Sequence, residues 1–201
     1  MAGKIAFSKY AEFIREGKVA LFPTDTVVGI GCRFDSKEGI TRLRAIKGIK
    51  DSDPVAVLIS SLQQLDVLRI RRSRLSNLLA EKFWPGGLTL VLSSEDRFPC
   101  SGVGNTLGLR MPDVDSLRKI IEMAGVPLAA TSANFHGRPA PGRMEEVDAS
   151  IVNSVNTTFD IPARLIGLPS TVVKLEGGEL KIIREGAIPS RDIYDAIAEE
   201  S

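Results

Sequence analysis

The chain has 201 residues, of which 43% are hydrophobic and 25% charged, and its formal net charge is +1. That length suits one domain around one large core, and the near-zero charge excludes a global field for nucleic acid or membrane, so any basic surface must be local. Two cysteines without paired spacing and a single histidine, His136, exclude a disulfide framework and a His-rich metal site, and with no signal-peptide pattern and no membrane-length apolar run a soluble cytoplasmic protein is expected.

In chain order, residues 8–16 read as a helix with Ser8 as N-cap and Gly17 just past its end. Two short apolar strands follow, 19–22 and 27–32, separated by Pro23, Thr24, Asp25 and Thr26. Pro23 ends ladder pairing. If the break is extended, Thr24 and Thr26 share one side and form a floor for a polar ligand; alternatively both hydroxyls serve turn hydrogen bonds. Cys32, inside the second strand, reads as a buried free thiol. Asp35 with Glu38 resembles a capping box opening a second helix. On it Ile40, Leu43 and Lys47 recur at helical spacing, which puts Lys47 near the core side of the last turn, where the dipole also favours a cation.

A loop over 48–54 feeds a strand at 55–59. Short and longer helices are expected at 62–68 and 73–83, the second stopped by Trp84-Pro85-Gly86-Gly87. Strands follow at 88–92 and 108–111, with Gly102 and Gly104 in the loop between them. A helix at 115–124, a strand at 127–130 and a Gly/Pro-rich loop at 135–142 come next, then a helix at 144–155. Gly177-Gly178 marks a hairpin between strands 170–175 and 180–184, and Ser190 is expected to cap a final helix running to the C-terminus. Strands and helices interleave without strict βαβ alternation, which argues for an α/β (α+β) fold with a mixed twisted sheet and helices packed on it.

Four polar clusters fall at strand ends: Thr24/Thr26, Thr106 with Arg110, Ser132/Asn134, and Ser170 with Arg184. Ligands of such sheets bind in crevices at strand ends. Lys47, Arg110 and Arg184 could add positive charge, and each could equally be a surface residue. Replacing Ser132 and Asn134 together by Ala is expected to leave folding nearly intact. No P-loop and no complete G-x-G-x-x-G is present, and no Ser or Cys has the signature of a base-activated nucleophile. The run Arg69, Arg71, Arg72, Arg74 is either a solvated helix face or a contact for RNA phosphates.

Seven motifs stand in order: PTDTVVGIGC at 23–32, AIKG at 45–48, WPGGLTLVL at 84–92, LRMP at 109–112, TSAN at 131–134, PSTVV at 169–173 and IIREGAI at 182–188. Together they resemble the YrdC/TsaC family of threonylcarbamoyl-AMP synthases, of the short bacterial type. The resemblance implies a single YrdC-like domain over 1–201, with three layers and a concave, basic cavity. It implies a nucleotidyltransferase that joins L-threonine, bicarbonate and ATP, with Mg²⁺ accompanying the ATP, for t6A modification of tRNA. It further implies catalytic roles for Lys47, Ser132 and Asn134. Thr26, Arg110, Ser132 and Ser170 would line the threonine side, and Lys47, Thr106, Asn134 and Arg184 the ATP side. Other partners it implies are tRNA or double-stranded RNA and t6A-pathway proteins; no metal-ligand cluster and no membrane contact are expected.

The chain departs from the family pattern at Val28, where a tyrosine is usual, at Ile49, where K-x-R carries its arginine, at Asp53, where a basic residue is common, and at Leu58, where a polar residue is common. Missing cations there imply weak ATP affinity unless Lys50 or Arg44 substitutes. YciO-like paralogues, which share the fold and an R-E-G ending like Arg184-Glu185-Gly186, are the alternative: nucleotide- or RNA-binding proteins with little synthase activity.

Overall fold

Helices on both faces of one twisted sheet place the chain's polar strand ends around a trough. The computed structural model describes residues 2–50, 52–102 and 105–199. Gly104, in the loop ahead of Thr106, lies outside them, as does the end of the chain that the final helix was expected to reach. Helix α1 spans Ala2–Arg15, six residues longer at its start than expected, so Ser8 is an interior residue and not a cap. Its end follows the sequence: Gly17 is left-handed (φ +71), and the Gly17 and Lys18 N–H groups return to Ile14 and Phe13, which satisfies the last carbonyls.

Strands β1 (Ala20–Pro23) and β2 (Val28–Arg33) form an antiparallel pair. Helix α2 (Lys37–Lys47) is capped by Ser36, whose hydroxyl accepts from Gly39 N at 3.0 Å. Asp35 is held instead by Arg33, so the expected Asp35/Glu38 box is displaced by one residue. Next come β3 (Ala56–Leu58), α3 (Gln64–Val67) and α4 (Arg74–Phe83), the last with Ser73 and Ser76 forming a true capping box. Strands β4 (Leu88–Ser93) and β5 (Thr106–Arg110), helix α5 (Asp115–Ala124) and strand β6 (Leu128–Ser132) follow.

The helix expected at 144–155 is broken. Met144–Glu146 is a single 3₁₀ turn, and α6 (Ala149–Ser154) restarts with Asp148 accepting from Ser150 N. Asp148 competes for backbone N–H groups and so starts a helix better than it continues one. A two-residue strand, β7 (Thr157–Thr158), lies parallel to β1. The hairpin β8 (Thr171–Glu176) and β9 (Glu179–Arg184) turns at Gly177 and Gly178, both with positive φ. The last helix, α7 (Ser190–Ala198), has Pro189 as N-cap; Ser190 begins the helix and its hydroxyl donates to Glu185.

Among the described residues the sheet has nine strands, in the order β7-β1-β2-β6-β3-β5-β4-β8-β9. It is mixed: β3/β5 and β4/β8 are parallel, while β2/β6, β3/β6 and β4/β5 are antiparallel. One face carries Leu21, Ile30, Val57, Leu90, Leu109 and Val173, packed with residues of α2, α4, α6 and α7 in the larger core. The other face carries Ala20, Phe22, Leu58, Leu128 and Ala130, covered by α1 and α5. That second cover stops short. Over β5, β4 and β8 the same face bears Gly108, Val91 and Val172, and the small side chains there leave a trough open. The three-layer arrangement expected from the sequence is therefore present, with the sheet in the middle.

Candidate functional site

The trough is a cavity of about 350 Å³ between the β1–β2 turn, the ends of β5 and β6, and the start of the last hairpin. Its volume lies in the range of small-molecule sites. Of the eight polar residues expected at a site, six line it: Thr26, Thr106, Arg110, Ser132, Ser170 and Arg184.

The β1–β2 turn is held by Thr24. Its hydroxyl donates to Val27 O at 2.7 Å and accepts from the N–H groups of Thr26 and Val27, both at 3.2 Å. The turn reading is thus correct for Thr24, whereas Thr26 faces the site from beneath a guanidinium. Thr26 has no exposed surface; its Oγ1 lies 3.0 Å from Thr24 Oγ1 and accepts from Arg110 Nη1 at 2.6 Å. Arg110 also donates from Nε to Gly86 O at 2.9 Å and from Nη2 to Asp25 Oδ1 at 2.5 Å. Burial pulls the Arg110 pKa down from the ordinary arginine value, and the Asp25 carboxylate opposes that shift.

Across the cavity Arg184 donates from Nε and Nη2 to Ser170 O, at 3.2 and 2.7 Å. Ser170 Oγ lies 2.8 Å from Thr89 Oγ1. The Arg184 pKa is lowered by burial and then by the charge of Arg110. Gly186 permits this packing: a Cβ there would sit 2.1 Å from Pro169 O.

Lys47 and Asn134 do not line the cavity; they stand one hydrogen bond behind it. Lys47 Nζ donates to Ser132 O at 2.7 Å, Asn134 O at 2.9 Å and Asn134 Oδ1 at 3.1 Å, with Ser132 Oγ at 3.3 Å. The Asn134 amide donates to Phe135 O and Arg138 O, so this side chain braces the 135–138 loop as well as the lysine. Burial lowers the Lys47 pKa from 10.5 to about 8. His136 is exposed, and its backbone N–H reaches Lys47 O at 3.2 Å.

The four departures separate. Leu58 lines the cavity, but Val28 is fully buried on the opposite face of the sheet. Ile49 packs against the larger core. Asp53 is turned into its own loop: its carboxylate accepts from Lys50 N at 3.1 Å, and its carbonyl accepts from Arg44 Nη2 at 2.7 Å. Arg44 is therefore anchored beneath the loop. Cys32 and Cys100 are buried free thiols, both pushed up to about 12 by burial. In the basic run, Arg69 pairs with Glu95 and Asp96, and Arg72 with Asp66.

Sequence reasoning missed Asp25 and Thr89 as parts of the site. Both had a signal: an acid amid hydroxyls in a strand-to-strand turn, and a lone hydroxyl between Leu88 and Leu90 in an apolar strand, where an unsatisfied polar group would be costly.

The family model Sua5_yciO_yrdC, described as telomere recombination, matches residues 12–186. A threonylcarbamoyl-AMP synthase of Pyrococcus abyssi is 35% identical over 191 residues, covering 94% of this chain and 56% of that protein. The crystal structure of P. abyssi Sua5 complexed with L-threonine superposes with a TM-score of 0.89 at 34% identity, covering 96% of this chain and 57% of that one. E. coli YciO superposes with a TM-score of 0.80 at 21% identity, covering 95% and 93%, a likeness of fold. The chain thus spans a little over half the length of the Pyrococcus relative.

Proposed function

The chain belongs to the Sua5/YciO/YrdC family, and from that premise we propose that it is an L-threonylcarbamoyladenylate synthase, making threonylcarbamoyl-AMP and pyrophosphate from L-threonine, bicarbonate and ATP to supply tRNA t6A modification. The observation that carries the proposal is the convergence of Arg110 and Arg184 on one cavity floored by small residues. A relative 34% identical to this chain has been solved with L-threonine.

Arg110, fixed on three sides, takes the threonine carboxylate. Ser170 and Ser132 offer hydroxyls to the amino acid and to the carbamate formed from bicarbonate. The carbamate oxygen attacks the α-phosphorus of ATP, the bond to the bridging oxygen breaks, and pyrophosphate leaves. This displacement needs no enzymic nucleophile. It needs alignment of the two reactants and neutralised charge on the phosphates. Arg184 and Lys47 provide that charge, Asn134 holds Lys47 in place, and Thr106 lies on the nucleotide side.

Mg²⁺ enters as part of the ATP substrate. Among the described residues no three His, Cys, Asp or Glu side chains gather into a metal site, and Asp25 is committed to Arg110. The described residues do not fit a resident metal. No described helix is long and apolar enough to cross a membrane. The YciO-like alternative is not favoured, because YciO, at 21% identity, speaks for the fold alone.

Product identity tests the proposal. Protein incubated with L-threonine, bicarbonate and Mg–ATP is expected to yield threonylcarbamoyl-AMP by mass spectrometry. Intact ATP with no adduct would overturn it.

A further inference from the structure

We infer that Asp25 is a positioning residue that fixes both the orientation and the net charge of the Arg110 guanidinium, so that this part of the cavity accepts the single carboxylate of a net-neutral amino acid and rejects polyanions. The inference rests on the synthase reading for the identity of that amino acid.

Three fixed acceptors hold the guanidinium. Gly86 O takes the Nε–H, Thr26 Oγ1 one hydrogen of Nη1, and Asp25 Oδ1 one hydrogen of Nη2. An arginine has five N–H donors, so one remains on each Nη nitrogen. One donor left on each of two adjacent nitrogens can meet the two oxygens of a carboxylate.

The acceptors are themselves rigid. Thr24 closes the turn that carries Asp25, and the chain at 166–167 ties it down from outside, with Ile166 N donating to Asp25 O at 3.1 Å and Gly167 N to Thr26 O at 2.8 Å. The Asp25 side chain is only 16% exposed and that of Arg110 7%, so their pairing is weakly screened.

Charge completes the argument. Arg110 and Asp25 together are neutral. Among the described residues neither Arg184 nor Lys47 has an acidic partner; their acceptors are serine and asparagine oxygens. The cavity therefore holds one compensated cation, Arg110, and one uncompensated one, Arg184, with the uncompensated Lys47 one hydrogen bond behind it. A polyphosphate gains most from the uncompensated pair and meets the Asp25 carboxylate if it approaches Arg110. An amino-acid zwitterion brings no net charge and loses little there.

The test compares wild type with Asp25→Asn, which keeps size and an acceptor oxygen but removes the charge. Calorimetric titrations use L-threonine and, separately, inorganic pyrophosphate. Threonine affinity is expected to fall about tenfold or more as the guanidinium loosens, while pyrophosphate affinity rises about tenfold as Arg110 becomes uncompensated. General damage to the fold cannot tighten one ligand while weakening the other. Asp25→Ser, which removes the charge and places a short hydroxyl in the turn, is expected to shift both ligands in the same opposed directions, and it decides the matter if the Asn variant does not fold. Parallel shifts, or none, overturn the inference. If wild type binds no threonine, the synthase reading fails on its own. The pyrophosphate comparison then still decides: tightening supports the charge role of Asp25, and an unchanged affinity overturns it.

Discussion

Lys47 shows how burial turns an ordinary residue into a measurable one. Its pKa falls to about 8 because its ammonium is desolvated. Phosphate bound nearby favours the charged form and moves the pKa back toward the ordinary value. If the cavity takes ATP as proposed, the free protein binds fewer protons on Lys47 than the complex does between about pH 8 and 10.5, and binding takes a proton up. At pH 8 we expect an uptake of about half a proton, fading below pH 7, read from calorimetric enthalpies in buffers of different ionisation enthalpy. Enthalpies independent of buffer at pH 8 would remove Lys47 from the nucleotide site. The sequence leads one to expect folding nearly intact when Ser132 and Asn134 are replaced together, but the Asn134 bonding argues otherwise and separates the two residues. Ser132 Oγ makes a 3.3 Å contact to Lys47, whereas the Asn134 side chain holds Lys47 and two loop carbonyls. Asn134→Ala should cost about 1–3 kcal/mol in chemical denaturation and Ser132→Ala about 0.5 kcal/mol or less. Equal costs would contradict this bonding.

The loop between α2 and β3 shows an element rewired around substituted residues. Gly48 ends α2 in the left-handed region at φ +69, Ile49 turns into the core, and the Asp53 carboxylate closes the turn on Lys50 N. Arg44, 7% exposed, lies beneath it and donates to the Asp53 carbonyl from Nε at 3.2 Å and Nη2 at 2.7 Å. Neither Arg44 nor Asp53 is thereby presented to the cavity, so the loop contributes structure where the family pattern has cations. Arg44→Met keeps the stem and removes both hydrogen bonds. We expect a loss of about 1.5–3 kcal/mol in urea unfolding, the range for bonds from a charged donor. A loss below about 0.5 kcal/mol would show that the loop does not depend on this anchor. The sequence made α2, the apolar strands and the Gly177-Gly178 hairpin legible because each depends on local periodicity or turn chemistry. It hid the break at Asp148, where a helix-like pattern continues across a residue that caps better than it propagates, and β7, whose two residues carry no period. Asp25 and Thr89 were hidden because their partners, Arg110 and Ser170, lie 85 and 81 positions away.

At the scale of the molecule, a nine-stranded sheet covered on one face and half covered on the other creates the site by what it leaves open. The strand order follows from pairings between distant segments, so periodicity alone could predict a mixed sheet but not its order. The polar strand ends were nonetheless readable as one site, since six of the eight residues anticipated at a site meet in one trough and the other two stand directly behind it. We propose that this trough couples an amino acid to the α-phosphate of a nucleotide. The coupling is tested most directly by following pyrophosphate release from labelled ATP, with threonine or bicarbonate omitted in turn. Steady release is expected that requires threonine and bicarbonate together, with serine and valine poor substitutes. Release that persists without threonine, or no turnover at any threonine concentration while ATP still binds, would contradict the coupling.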